Sequence, residues 1–316
     1  MSNTYFSLAD LVKLNDLNAR DNGITDLLNE APVLAKLMAT TASNGTNHNY
    51  IKQTTAPTVG FRALNTGKFV SASGYTEVAI TLKNVDATVV VDTALADSYR
   101  YGPEKFMDRE AINALQQAFF VSEQQFWYGT GAGASAGFSG LGDDSHYSAA
   151  AGSLVVNAGG TTAATGSSVW LIRSTPDEKG VTAVIGNSGN IQIGDTVTTL
   201  KPDDTDATKF FPAYMTPIQA YIGLQIGGVY SAVRIGNLTA DSGHGLTDSL
   251  ISSALALFKA GQGPTMIAMN RRSLQQLQKS RTATNPTGQP APFPQDAFGV
   301  PIVVTDSILS TEALLT

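Results

Sequence analysis

PEKFMDREAINALQQAFFVSEQQFWY, running from Pro103 to Tyr128, is the stretch whose reading decides the fold. Both its ends and its faces specify a helix. Pro103 presets φ at the first helical position, and Glu104 places negative charge at the positive end of the helix dipole. Met107, Ala111, Leu115, Ala118, Ser122 and Phe126 recur at three- and four-residue spacing, with Ile112 and Phe119 widening the stripe, so one face is expected to be buried. Gly129 offers the left-handed position at which many helices stop. At 1.5 Å per residue the helix spans roughly 39 Å, against a usual length of about 11 or 12 residues, so it must lie along something extended. The tract from Gly129 to Gly137, followed by Phe138-Ser-Gly-Leu141, then turns the chain away from the rod.

Working outward toward the start, residues 44–96 are polar and Thr-rich with period-two alternation. Val78, Ile80 and Leu82 alternate with Glu77, Thr81 and Lys83, and Val85, Ala87, Val89 and Val91 continue the pattern. The other arm of this ribbon is expected from Tyr50 to Ala63, with residues 65–74, rich in Gly and Ser, as its tip. A two-stranded ribbon buries too little to stand alone and needs a partner surface. Before it, Ser7 with Asp10 resembles a capping box opening a short helix that Asn22-Gly23 ends, and Pro32 opens a further helical turn through Val33, Leu34, Leu37 and Met38. These pieces fit an N-terminal arm packed on something else.

Beyond the rod, residues 168–173, 180–185, 191–193 and 221–235 have strand character, residues 246–259 and 270–281 read as helices, and Phe298-Gly-Val-Pro-Ile-Val-Val-Thr-Asp306 reads as a buried strand. Prolines at 286, 290, 292 and 294 make the intervening stretch an irregular loop.

Composition narrows the class. The chain has 316 residues, 42% hydrophobic and 15% charged, which suits a folded protein of roughly two domains. No charged n-region and apolar core open it, so cleaved secretion is not expected, and no apolar run approaches the roughly 18 residues of a membrane span. With no cysteine, disulfides, thiol nucleophiles and thiolate metal sites are excluded. The net charge of −6 argues against a dedicated nucleic-acid binder. Arg271, Arg272, Lys279 and Arg281 form a local basic exception, read as a solvated helix face.

Catalytic patterns fail on context. Gly133-Ala-Ser135-Ala-Gly137 matches the G-x-S-x-G elbow of serine hydrolases, but that elbow needs a strand before it and a helix after it. Gly131-x-Gly133-x-x-Ala136 mimics a dinucleotide fingerprint and fails for the same reason. His48, His146 and His244 lie far apart, without metal-ligand spacing. Asp203, Asp204 and Asp206 lack the glycine and glutamate of a calcium loop. No catalytic, cofactor or metal residue is expected.

The order of pieces, with the segment from Phe126 to Leu141, the pair Ser168-Val-Trp170-Leu-Ile and Tyr230-Ser-Ala-Val-Arg-Ile-Gly-Asn237, and the strand before Asp306, resembles the major capsid protein of tailed bacteriophages, in the short-tailed branch. The resemblance implies an α+β fold of the Hong Kong 97 type. Residues 1–43 would be the N-terminal arm, 44–96 the extended loop lying over a neighbouring subunit, 97–236 a peripheral domain with spine helix 103–128, and 237–316 the axial domain. It also implies an icosahedral shell of pentamers and hexamers, assembled in the bacterial cytoplasm around double-stranded DNA that is not read by sequence. A separate scaffolding protein, a portal at one vertex and a decoration protein are the implied partners.

Two departures from the simplest version of that fold stand out. About ten residues follow Asp306, too few to supply closing strands beside the spine helix. Residues 168–235, with Trp170 and Tyr230, are expected to provide them, giving a permuted connectivity. Fewer than fifty residues precede the ribbon, hence the separate scaffold. Lys52, Lys68 and Lys83 in the ribbon read as solvated rather than cross-linking. The rival readings are a serine hydrolase using Ser135, and a β-rich tail protein or adhesin.

Overall fold

A computed structural model describes residues 30–67, 71–131, 137–175, 179–189, 191–203, 206, 208–285 and 289–316. The expected N-terminal helix, Lys68, Ser135, Asp204 and Pro286 lie outside them. In chain order the elements are β1 (Ala39–Thr41), β2 (Asn47–Thr55), β3 (Gly74–Thr81), β4 (Lys83–Asp86), β5 (Val89–Asp92), α1 (Thr93–Asp97) and α2 (Pro103–Tyr128). There follow β6 (Val155–Asn157), β7 (Ser167–Ile172), β8 (Val181–Ile185), β9 (Gln192–Ile193), β10 (Val197–Pro202), β11 (Phe210–Thr216), β12 (Ile218–Ile226) and β13 (Ala232–Leu238). The last are α3 (Asp248–Ala256), β14 (Met266–Met269), α4 (Arg271–Ala283), β15 (Asp296–Ala297) and β16 (Val300–Val304).

The rod forms over the expected residues, with Pro103 in its first turn. Its inward face holds Met107, Leu115, Phe119, Ser122, Phe126 and Trp127, but Ile112 is 37% exposed. Gly129 does not take the left-handed position: its φ is −60° and ψ 132°. Glycine is needed there for a different reason. A Cβ on Gly129 would stand 2.2 Å from the Phe138 carbonyl oxygen, because the chain returns across the helix end and Gly140 N–H donates to the Gly129 carbonyl at 2.7 Å.

Among the described residues the strands form four sheets. A five-stranded sheet runs β1-β8-β12-β4 with β9 also on β12, and α2 packs on its β12 and β4 strands. A three-stranded sheet runs β10-β11-β5, and a two-stranded ribbon pairs β2 with β3. A six-stranded sheet runs β15-β16-β14-β7-β13-β6, with α3 packed on β13 and β6. The alternation from Val85 to Val91 is thus not one strand. Asp86 Oδ1 accepts from the Thr88 N–H at 2.9 Å and from its hydroxyl, and this turn sends β4 and β5 into different sheets.

The expectation that residues 168–235 lie beside the spine helix needs correction. The inner strands β8 and β12 do join the sheet under α2, but β7 and β13 sit centrally in the six-stranded sheet, between β14 and β6. Every residue of β7 and β13 is buried, and strands covered on both faces belong in the middle of a sheet rather than at an added edge. The sheet therefore draws strands from both sides of residue 236. Pro32 opens a turn with helical bonding, as expected, in which the Ala35 and Leu37 N–H groups donate to the Ala31 and Val33 carbonyls. The hairpin β10–β11 had no counterpart among the expected elements.

Candidate functional site

Two regions carry the features on which a structural role would turn: the β2–β3 ribbon and a buried polar junction at the C-terminal end of α2. The ribbon is seated at its root and free at its tip. His48 and Tyr50 face the protein's own body, where His48 Nε2 meets Gln225 Oε1 at 3.0 Å and the Tyr50 hydroxyl donates to the Ile226 carbonyl at 3.0 Å. Burial, then the charge of Asp144, pushes the Tyr50 hydroxyl pKa up. Leu82 at the ribbon's end lies on Gly223, where any Cβ would come within 2.5 Å of its side chain. On the opposite face Ile51 and Tyr75 are exposed, and beyond the paired strands Val59, Phe61 and Leu64 have no cover at all, Phe61 at 109% and Leu64 at 95% of full exposure. Among the described residues, nothing in its own subunit covers these apolar side chains.

The junction gathers charged groups in the interior. Glu123 is fully buried on α2, and its carboxylate accepts from the Val33 and Leu34 N–H groups at 2.9 and 3.1 Å, from Ser307 Oγ at 2.7 Å and from the Thr305 hydroxyl. Burial pushes its pKa up, while those four donors pull the other way. One side chain thus fastens the residue 31–37 turn and the segment after β16 to the rod. One turn on, Trp127 donates its indole N–H to Ser307 Oγ at 2.8 Å and stacks on Trp170 of β7 at 5.9 Å.

Arg234 on β13 lies over the Trp170 ring and pairs with Glu312 at 2.9 Å, both side chains being 7% exposed or less. Buried charges need every lone pair and proton satisfied. Glu312 also accepts from the Tyr128 hydroxyl and Ser168 Oγ, each at 2.6 Å, and Arg234 also donates to Ser168 Oγ and the Tyr147 carbonyl. Burial and the neighbouring Glu312 raise the Tyr128 pKa strongly. The final residues are held likewise: Asn237, at a β13 bulge with φ +56°, accepts from Leu315 N–H at 2.7 Å and donates to its carbonyl at 3.1 Å.

The other sequence candidates are not brought together. Ser135 is outside the described residues. His48 is buried at the ribbon root, His146 contacts Asp144 at 2.6 Å, and His244 donates to the Ala158 carbonyl at 2.9 Å. Among the described residues no cluster of His, Asp and Glu suited to a metal forms. Asp206 is solvent-exposed, with its pKa lowered by the Thr208 hydroxyl and N–H, and it pairs with Lys209. The basic cluster is partly structural: Arg272 donates to the Ser310, Thr165 and Leu238 carbonyls, and Arg281 pairs with Asp248 at 2.7 Å. Sequence reading missed Glu123, although a signal was present. It lies four residues after Phe119 and three before Phe126, on the buried stripe itself.

Comparison with known proteins places this architecture. Residues 16–316 match the model of the family described as Major capsid protein GP7. The chain belongs to that family. Its fold is similar to that of bacteriophage epsilon15 solved by cryo-EM, with a TM-score of 0.61 and 19% identity over 100% of this chain and 99% of that one. The bacteriophage JBD30 capsid gives a TM-score of 0.48 and 12% identity over 85% and 88% of the two chains. No curated protein matches the chain. This major capsid protein is therefore a shell-forming structural protein of a tailed phage, located in the virion capsid, with a mixed α/β fold of the Hong Kong 97 type.

Proposed function

We propose that this capsid protein assembles as pentamers and hexamers of an icosahedral shell that encloses double-stranded DNA, each subunit laying its ribbon over a neighbour. The observation that carries this is the ribbon itself, rooted on its own sheet through Tyr50 and Leu82 and ending in bare Phe61 and Leu64. Exposed apolar side chains grouped in this way mark a surface for interaction with another chain.

In this reading α2 with the five- and three-stranded sheets is the peripheral domain, and the six-stranded sheet with α3 and α4 is the axial domain. The axial domain would then take in β6, β7 and β13 as well as residues 237–316. The ribbon residues within 44–96 form the extended loop, and within the arm of 1–43 the turn at Val33 and Leu34 is held by Glu123. The net charge of −6 would limit adhesion of DNA to the inner wall and so ease packaging. A scaffolding protein, a portal and a decoration protein are the expected partners, and assembly takes place in the bacterial cytoplasm. No residue is assigned a catalytic role.

Negative-stain microscopy of the protein expressed with and without a scaffolding partner tests this. Closed shells or capsomer rings are expected, and a monomer under every condition would contradict the reading. Labelling by an active-site phosphonate that is lost in Ser135→Ala would instead favour a hydrolase.

A further inference from the structure

Rings built from one chain use heterologous contacts, in which a donor surface on each copy meets a different acceptor surface on the next. The ribbon tip is the donor, and the acceptor must lie elsewhere on the same chain. The hairpin β10–β11 has the required character. An antiparallel pair at a surface normally turns its polar side outward. Here the register pairs Leu200 with Pro212 and Pro202 with Phe210, and all four are exposed. The same face continues through Thr198 and Tyr214, and its reverse holds buried Ala213. The outward face of this hairpin thus carries apolar side chains into solvent, with Leu200 at 68% and Phe210 at 61% exposure.

Charge fits as well. Tyr214 forms one wall of an open groove of about 450 Å³ whose other side is the start of α2, with Glu104 and Asp108. Both carboxylates are exposed and neither pairs with a cation among the described residues. On the tip, Arg62 follows Phe61 directly and stands two residues before Leu64. Its only bond among the described residues runs to the Thr66 carbonyl at 3.2 Å, within the tip itself.

We propose that the ribbon tip of one copy docks on the β10–β11 face of a second copy. Phe61 and Leu64 cover the Leu200–Pro212 and Pro202–Phe210 pairs, and Arg62 enters the groove between Glu104 and Asp108. This rests on the reading of the chain as a ring- and shell-forming subunit, and specifies which surface of the neighbour receives the ribbon.

The absence of native cysteines gives a clean test. Ala63→Cys and Thr198→Cys, exposed positions that flank the proposed contact rather than make it, are introduced singly and together, and assembled shells are treated with a short thiol cross-linker. The double variant is expected to give a covalent ladder rising past the dimer on a denaturing gel, with neither single variant cross-linking. Dimers from Ala63→Cys alone would place tips against tips, and dimers from Thr198→Cys alone would place hairpins against hairpins. Either result, or intact shells of the double variant with no ladder, overturns the proposal while leaving the shell reading standing. Failure of the unmodified chain to form shells or rings would remove both. A charge exchange checks the polar part: Arg62→Glu should cut shell yield, and Glu104→Arg in the same chain should restore it.

Discussion

The ribbon and the junction at the end of the spine helix treat their side chains in opposite ways. The junction takes charged groups, Glu123, Arg234 and Glu312, out of water and gives each a full set of partners. The ribbon leaves Phe61 and Leu64 in water with none. Buried charge is tolerated only when satisfied, and exposed apolar side chains grouped at a tip mark a surface for interaction with another chain. The difference separates what holds one subunit together from what joins many. The junction closes within a single chain, whereas in the proposed assembly the ribbon is completed by another copy.

Several substitutions test that separation, and the largest effect belongs to the junction. Glu312→Ala leaves Arg234 buried without its counter-charge and should cost about 3–5 kcal/mol in urea unfolding. Replacing the pair together, Arg234→Met with Glu312→Leu, should cost markedly less, since no charge is stranded. Equal losses would mean that the pair is not the reason. Glu123→Gln puts an amide NH2 among four donors and should cost about 1–3 kcal/mol.

The same variant carries a pH signature. Because burial raises the folded-state pKa of Glu123, the folded protein holds this proton more tightly than the unfolded chain. Between the ordinary carboxylate value and the raised one, this group's contribution to stability falls as pH rises and returns as pH falls. Unfolding midpoints of the unmodified protein and Glu123→Gln should therefore diverge in favour of the unmodified protein as the solution is made mildly acidic. A gap independent of pH would show that Glu123 does not titrate with folding.

Smaller effects are expected toward the ribbon. Tyr50→Phe removes one hydrogen bond to the Ile226 carbonyl and should cost about 1 kcal/mol. Phe61→Ser with Leu64→Ser should change the stability of the unassembled subunit by no more than about 0.5 kcal/mol, yet abolish shells under microscopy. A large loss of subunit stability in that variant would erase the contrast between the two regions.

How much of this was legible in the sequence follows the same division. The rod, α3 and α4 were readable because their apolar spacing and end residues act locally, as Pro103 and the stripe from Met107 to Phe126 show. Pairing of the ribbon arms was readable from alternation, although the first strand ends at Thr55 rather than near Ala63. What depended on distant neighbours was not. Glu123 lies on the buried stripe, but what satisfies its charge there shows only when Val33, Leu34, Thr305 and Ser307 converge on it from far along the chain. Trp170 and its strand read as strand, but only pairing with β13 and β14 decides which sheet they enter. The hairpin β10–β11 escaped notice because its outward face is apolar and its loop rich in Asp and Thr, which blurs the usual alternation.

Hydrogen exchange read on the unassembled subunit and on assembled shells tests the central claim most directly. The account predicts that amides of residues 56–66 exchange freely in the subunit and become protected in shells, while those around Glu123 and Glu312 are protected equally in both. Ribbon-tip amides that stay unprotected in shells would contradict it, because the ribbon would then not be the element that another copy completes.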